Sequence, residues 1–324
     1  MLRALRTDVH QHLWPEPFLV ELGRRRQPPH LLPAPQGWVV RLAGEADHPV
    51  DPPAHDPDRR AAELRVSGID RALLAPSAPL GIETLPEDEA RPLLDAWHDA
   101  VLDLGPPFAV WGSIALERPD PDDVDRLLDR GAVGLCLPAA ALATPEALAR
   151  HGGVLERLER RGAPLFVHPG AASAAPTPRR AASGASWWPA LTDYVAQVHA
   201  AWHAWVGWGR AWHPDLTVLF ALLAGGAPLH HERLAARGGP ADAARDRRLF
   251  YDTSSYGPRT REAVRRAVGV DQLVHGSDRP VLDPAGACSL GRRLDAALTE
   301  RNPARLLGRG AIAARRPTLV AAAA

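Results

Sequence analysis

Short apolar runs of four to eight residues recur along this chain, each followed by a longer stretch that mixes apolar and polar positions at helical spacing. That alternation predicts repeated strand–helix units. Strands are expected at Arg6–His12, Asp70–Ala75, Phe108–Ala115, Ala132–Leu137, Pro164–His168, Leu216–Leu222, Leu249–Thr253 and Gln272–Asp278. Helices are expected at Pro57–Ser67, Pro86–Leu104, Asp122–Arg130, Pro145–Arg161, Pro189–Trp212, Thr260–Val268 and Ala285–Leu298, with Thr144 as an N-cap. A proline-rich insert, about residues 13–56, interrupts the pattern after the first strand. Within it, Gly37–Leu42 and His48–Asp51 can pair as a small hairpin. Ala171–Ser186, rich in Ala, Ser and Pro, reads as a long loop or lid on the side of the active site.

Eight strands alternating with helices fit a closed (β/α)₈ barrel or an open doubly wound sheet. No G-x-G-x-x-G follows the first strand, so dinucleotide binding has no support. The motifs at the strand ends favour the barrel. The expected organisation is one α/β TIM-barrel domain over residues 1–314, with an insertion after strand 1 and a frayed tail at 315–324.

Formal net charge is zero, which argues against nucleic acid or an anionic membrane as partner. No apolar stretch is long enough to span a bilayer, and residues 1–7 lack the apolar centre of a signal peptide. Cys136 and Cys288 make no disulfide framework, so the expected setting is cytoplasmic. All 38 basic residues other than histidine are arginine. Without lysine there is no Schiff base, no phosphate-loop lysine and no carboxylated lysine bridging two metals.

Asp8-Val9-His10-Gln11-His12 places His10 and His12, with Asp8, on one face of a strand. Two imidazoles so placed can bind one metal from one side, although a pair of surface histidines would read the same way. Leu165-Phe166-Val167-His168-Pro169-Gly170 is an apolar strand ending in His before a break. Leu273-Val274-His275-Gly276-Ser277-Asp278-Arg279-Pro280 is another, ending in a carboxylate. Singly, each is weak. Together they bring metal-competent side chains to the ends of the first, fifth and eighth strands, which converge at a barrel's mouth.

With these motifs, and with the closing Asn302-Pro303-Ala304-Arg305-Leu306-Leu307, the chain resembles the amidohydrolase superfamily, in particular its amidohydrolase-related branch. That branch contains lactone hydrolases and non-oxidative decarboxylases. The resemblance implies that His10, His12 and His168 bind one divalent metal, zinc or else manganese. It also implies that Asp278 is both ligand and proton shuttle. The expected activity is hydrolysis of an amide, lactone or ester of a small molecule. The alternatives are decarboxylation of a small aromatic or enoic acid, and a catalytically impaired homologue that binds metal and ligand.

The third possibility arises from a departure. The branch carries a His at the end of the sixth strand, and the ungapped flanks put Leu222 there. His230, His231 and His275 are possible substitutes. Arg279, Trp188, Asp252 and Tyr256 are expected to meet substrate, Arg279 with a structural salt bridge as its equal alternative. Trp202, Trp205, Trp208 and Trp212 share a helix face, predicting helix-to-barrel packing or else a homodimer interface. His199 and His203, four apart, could chelate a metal, but packing or solvent exposure is the simpler expectation.

Overall fold

The computed structural model describes residues 4–43, 45, 47–171, 187–282 and 291–308. Eight parallel strands form one sheet in the order β1 (Thr7–Gln11), β5 (Arg71–Leu74), β6 (Phe108–Gly112), β7 (Gly134–Pro138), β8 (Leu165–His168), β9 (Val218–Phe220), β10 (Leu249–Asp252) and β11 (Leu273–Val274). Sequential parallel pairing with a helix in most crossovers is the expected (β/α)₈ barrel. Its seam is closed by Val9 N donating to His275 O, Asp278 N to His10 O and His12 N to Arg279 O, at 2.9, 2.8 and 2.7 Å.

Alternation along each strand divides the core. Cys136, Phe166, Leu219 and Phe250 belong to the apolar layer inside the barrel. Their neighbours Leu135 and Leu137, Leu165 and Val167, Val218 and Phe220, Leu249 and Tyr251 pack outward into the layer shared with the helices. A period of two between barrel interior and helix layer is what closure of a sheet demands.

The insert holds helix α1 (Glu16–Arg24) and an antiparallel sheet of three strands rather than two, β2 (His30–Ala34), β3 (Gly37–Arg41) and β4 (His48–Val50). The additional strand contains Pro33, which weakens its strand signal. It is tolerated because β2 lies at the sheet's edge. Helices α2 (Pro57–Ser67) and α3 (Glu87–Leu102) come next, then α4 (Pro121–Asp129). The helix expected over Pro145–Arg161 is two, α5 (Pro145–Arg150) and α6 (Gly152–Arg161), parted at His151. The Thr144 hydroxyl caps α5, accepting from Ala147 N at 3.1 Å. The expected 171–186 loop, apart from Ala171, and the 315–324 tail lie outside the described residues, as does Cys288.

Two strands end earlier than their apolar runs suggested. The eighth stops at Val274, and Asp278 takes a left-handed φ of 61°. The sixth stops at Phe220. Leu222, Leu223 and Ala224 then adopt φ of 52°, 50° and 53°, continued by Gly225 and Gly226. Each non-glycine residue in this conformation costs about 1–2 kcal/mol. Burial of Leu222, Leu223 and Ala224 offsets that cost. At Gly225 a Cβ would meet Val195 O at 2.6 Å, so only glycine lets the next helix approach.

That helix, α7 (Trp187–Ala204), runs into a π-turn at Trp205–Gly209 and a last turn at Arg210–Trp212. The expected single tryptophan face is divided. Trp202 and Trp205 are buried, whereas Trp208 and Trp212 are exposed. The wider i→i+5 turn rotates the residues on its C-terminal side away from the face set by those on its N-terminal side. Among the described residues, no helix is long and apolar enough to cross a membrane.

Candidate metal centre

The structure brings His10, His12, His168 and Asp278 together from the ends of β1 and β8 and the segment after β11. Each offers one ligand atom, and all four atoms lie within 4.8 Å of one another. His10 Nε2 is 3.1 Å from His12 Nε2 and 3.0 Å from His168 Nε2. Asp278 Oδ1 is 3.4 Å from His10 Nε2 and 3.2 Å from His12 Nε2. Four donor atoms this close can surround one ion at about 2 Å or slightly more, the reach of a metal–nitrogen or metal–oxygen bond.

Outer contacts decide what those atoms present. His12 Nδ1 donates to Ala75 O and His168 Nδ1 to Pro169 O, both at 2.9 Å. A carbonyl can only accept, so in each neutral ring the proton is on Nδ1 and Nε2 is a bare lone pair. His10 Nδ1 donates to Asp252 Oδ2 at 2.7 Å. Three lone pairs and a carboxylate oxygen therefore face one point. That arrangement is suited to a cation, with ring orientation fixed as metal-ligating histidines are commonly fixed.

Without an ion, the charges around His10 favour a proton on its Nε2. Burial alone would push His10 down, but Asp252 and Asp278 outweigh it and lift the imidazole to about 9. Burial, with the charges of His10 and His12, drives His168 well below its ordinary value. Burial works to raise Asp252, yet the charge and hydrogen bond of His10, with the bonds from Ser254, hold it below the usual carboxylate range. A cation at the centre would take the place of the His10 Nε2 proton, whereas His168 is held neutral with its lone pair free.

Asp8, expected on the same face, does not join. Its pairing strand shifts register between Asp8 and Gln11, which breaks strict alternation. The Asp8 carboxylate instead accepts from the backbone of His10 and Ser277, both at 3.1 Å, and from Gln11 Nε2 at 2.8 Å, tying β1 to the Asp278 segment. Gly276 is required there: a Cβ would stand 2.9 Å from both His10 Cβ and Asp252 Cγ.

The residues expected to meet substrate occupy the following positions. Asp252 is fully buried, with one oxygen on His10 and the other accepting from Ser254 N at 2.6 Å. Both oxygens are thus engaged behind the cluster, one of them on the ring of His10. Arg279 Nη1 lies 3.7 Å from Glu63 Oε2 and lines a cleft with Arg59 and Arg60 of α2, so its salt-bridge alternative is the arrangement observed. Trp188 is half-exposed on the first turn of α7, its ring against Trp187. Tyr256 is partly buried against the inner apolar layer.

None of the proposed substitutes for the strand-six histidine reaches the cluster. His230 packs against His199, His231 Nδ1 bonds Pro228 O, and His275 Nε2 lies 3.7 Å from Asp8. Leu222 itself is buried in the inner apolar layer with Phe166, whose ring stands edge-on to His10 at 5.0 Å. Sequence reasoning missed the roles of the Ala75 and Pro169 carbonyls, since backbone atoms leave no residue signature. Asp252 carried a signal, a carboxylate at the end of the seventh barrel strand, and in the structure it meets His10.

No family model matches the chain, and no curated protein matches it. Solved structures do. Metarhizium anisopliae IDCase in apo form covers 94% of this chain and 97% of its own, at 16% identity and a TM-score of 0.78. The 5-carboxyvanillate decarboxylase LigW from Sphingomonas paucimobilis covers 94% and 99%, at 16% identity and a TM-score of 0.70. A dihydroxybenzoic acid decarboxylase from Polaromonas sp. JS666, with bound manganese and the inhibitor 2-nitroresorcinol, covers 94% and 97% at 16% identity and a TM-score of 0.67. The chain thus has the (β/α)₈ fold of these proteins.

Proposed function

We propose that this chain is a metal-dependent, non-oxidative decarboxylase of a small aromatic or enoic carboxylic acid. The reading rests on one observation, the convergence of three Nε2 lone pairs and the Asp278 carboxylate at the barrel mouth. Hydrolysis is the first expectation from sequence. The structural neighbours favour the decarboxylase alternative, since LigW and the Polaromonas protein are both decarboxylases. Leu222 supports the same direction. It offers nothing to orient a water for attack on a carbonyl.

His10, His12, His168 and Asp278 would hold one divalent cation, zinc or manganese; manganese accompanies the Polaromonas neighbour. When bound, the cation supplies Lewis acidity that polarises substrate oxygen atoms. Asp278, protonated, delivers its proton to the carbon bearing the carboxylate. The new C–H bond draws on the substrate's π electrons. The C–C bond to the carboxylate then breaks, its electron pair restores the π system, and carbon dioxide leaves. Asp278 regains a proton from solvent. Asp252 keeps His10 aimed throughout.

The test is a panel of hydroxybenzoic and methoxyhydroxybenzoic acids beside simple lactones and amides, with the protein loaded with manganese or zinc. Carbon dioxide release from an aromatic acid is the expected result. Lactone or amide turnover without it would overturn the proposal. Leu222 also motivates a second reading, a ligand-binding homologue without turnover. That reading is favoured if aromatic acids raise Tm in the metal-loaded protein while none is consumed.

A further inference from the structure

A second histidine cluster lies outside the barrel mouth. His199 and His203 occupy one face of α7, four residues apart. Their Nε2 atoms are 3.1 Å apart, matching the 3.0 and 3.1 Å spacings among the mouth histidines. His230, at the end of the 222–230 segment, presents its ring edge-on to His199, with centroids 5.3 Å apart at 72°. All three mouth pairs have centroids 4.8–5.0 Å apart, whereas His230 makes its ring contact with His199 and stands farther from His203. It is exposed, so its ring is not held in place by packing.

We propose that His199 and His203, completed by His230, form a second divalent-metal site that pins α7 to the 222–230 segment. Two imidazoles at i and i+4 chelate without backbone rearrangement, and a third from another element makes a cross-link. Neither His199 nor His203 is drawn toward a proton. Burial and then the charge of His230 lower His199; burial and then His199 and His230 lower His203. Both rings are therefore neutral near pH 7, the form that ligates. A backbone hydrogen bond from His199 to Gly225 helps orient its ring, and the Trp202 ring stands edge-on to His203 at 5.0 Å.

The donor set defines the metal class. Imidazoles without a carboxylate suit zinc, nickel and copper(II), and discriminate against magnesium, calcium and manganese. The site would thus differ from the mouth, whose carboxylate also accommodates manganese. Occupancy would brace the left-handed turn at Leu222–Gly226 from outside, because α7 already packs against it at Gly225.

The competing account is an N–H···N hydrogen bond between the two rings with no metal. Full-length protein, stripped with a chelator and titrated with Zn²⁺ or Ni²⁺ against a chromogenic competitor, separates them. The expected result is that His203→Gln binds about one equivalent fewer than wild type. His230→Ala should weaken that same equivalent by about tenfold, a modest loss for one ligand of three. Ni²⁺ should raise Tm more in wild type than in His203→Gln. The comparison is between proteins, so it holds whether or not the mouth takes the same ion. Equal stoichiometry and equal Tm response in wild type, His203→Gln and His199→Gln would overturn the site. Circular dichroism identifies a variant that fails to fold, and the exposed His230→Ala then decides: an unchanged affinity for every equivalent overturns it.

Discussion

The two histidine clusters share an Nε2 spacing near 3.1 Å yet differ in every other respect. At the mouth, three buried rings are each locked by an Nδ1 donor bond, and a carboxylate joins them. On α7, two half-buried rings face each other without a carboxylate, and the third is exposed. The contrast teaches that spacing alone sets whether an ion fits. Partners behind the rings and the dielectric around them set how tightly it is held and whether it can do chemistry.

The largest effect that would break this distinction is at Asp278. Asp278→Asn keeps the shape but removes the proton, and should lower kcat by about 10²–10⁴-fold. Steady-state assay on whichever aromatic acid is consumed checks it; undiminished turnover would remove the shuttle role. Next is the residue behind the mouth. Asp252→Ala frees His10 Nδ1, and should weaken mouth metal affinity by about 10–100-fold while leaving the α7 site untouched. Competitive metal titration reads both at once, and an equal loss at both sites would count against the assignment.

Gly276→Ala sharpens the same point through sterics. Its Cβ would displace Asp252 or His10, so metal affinity at the mouth should fall by less than for Asp252→Ala, roughly tenfold. Leu222→His has the smallest expected effect. His tolerates a positive φ better than Leu, so the variant should fold. A change in kcat within about tenfold would agree with an apolar residue at that position. A rise of several orders would instead identify Leu222 as a lesion and support the ligand-binding reading.

Much of the fold was legible along the chain, because barrel strands are short apolar runs and crossover helices are amphipathic. Their ends were not. Leu222–Ala224 look like the continuation of a strand, and only burial against α7 makes their left-handed turn tolerable. The division of the tryptophan stripe likewise depends on a π-turn that no residue pattern announces.

For the site, residue type and strand position by themselves singled out His10, His12, His168 and Asp278, since metal-competent side chains at strand ends of a barrel converge by topology. Tertiary structure alone decided the rest. It turned Asp252 toward His10, sent Arg279 to Glu63, withdrew Asp8 through a register shift and carried His230 to His199. Those outcomes depend on which way a side chain points and which backbone carbonyl it meets. Such facts arise from packing between distant segments and leave no trace in local sequence.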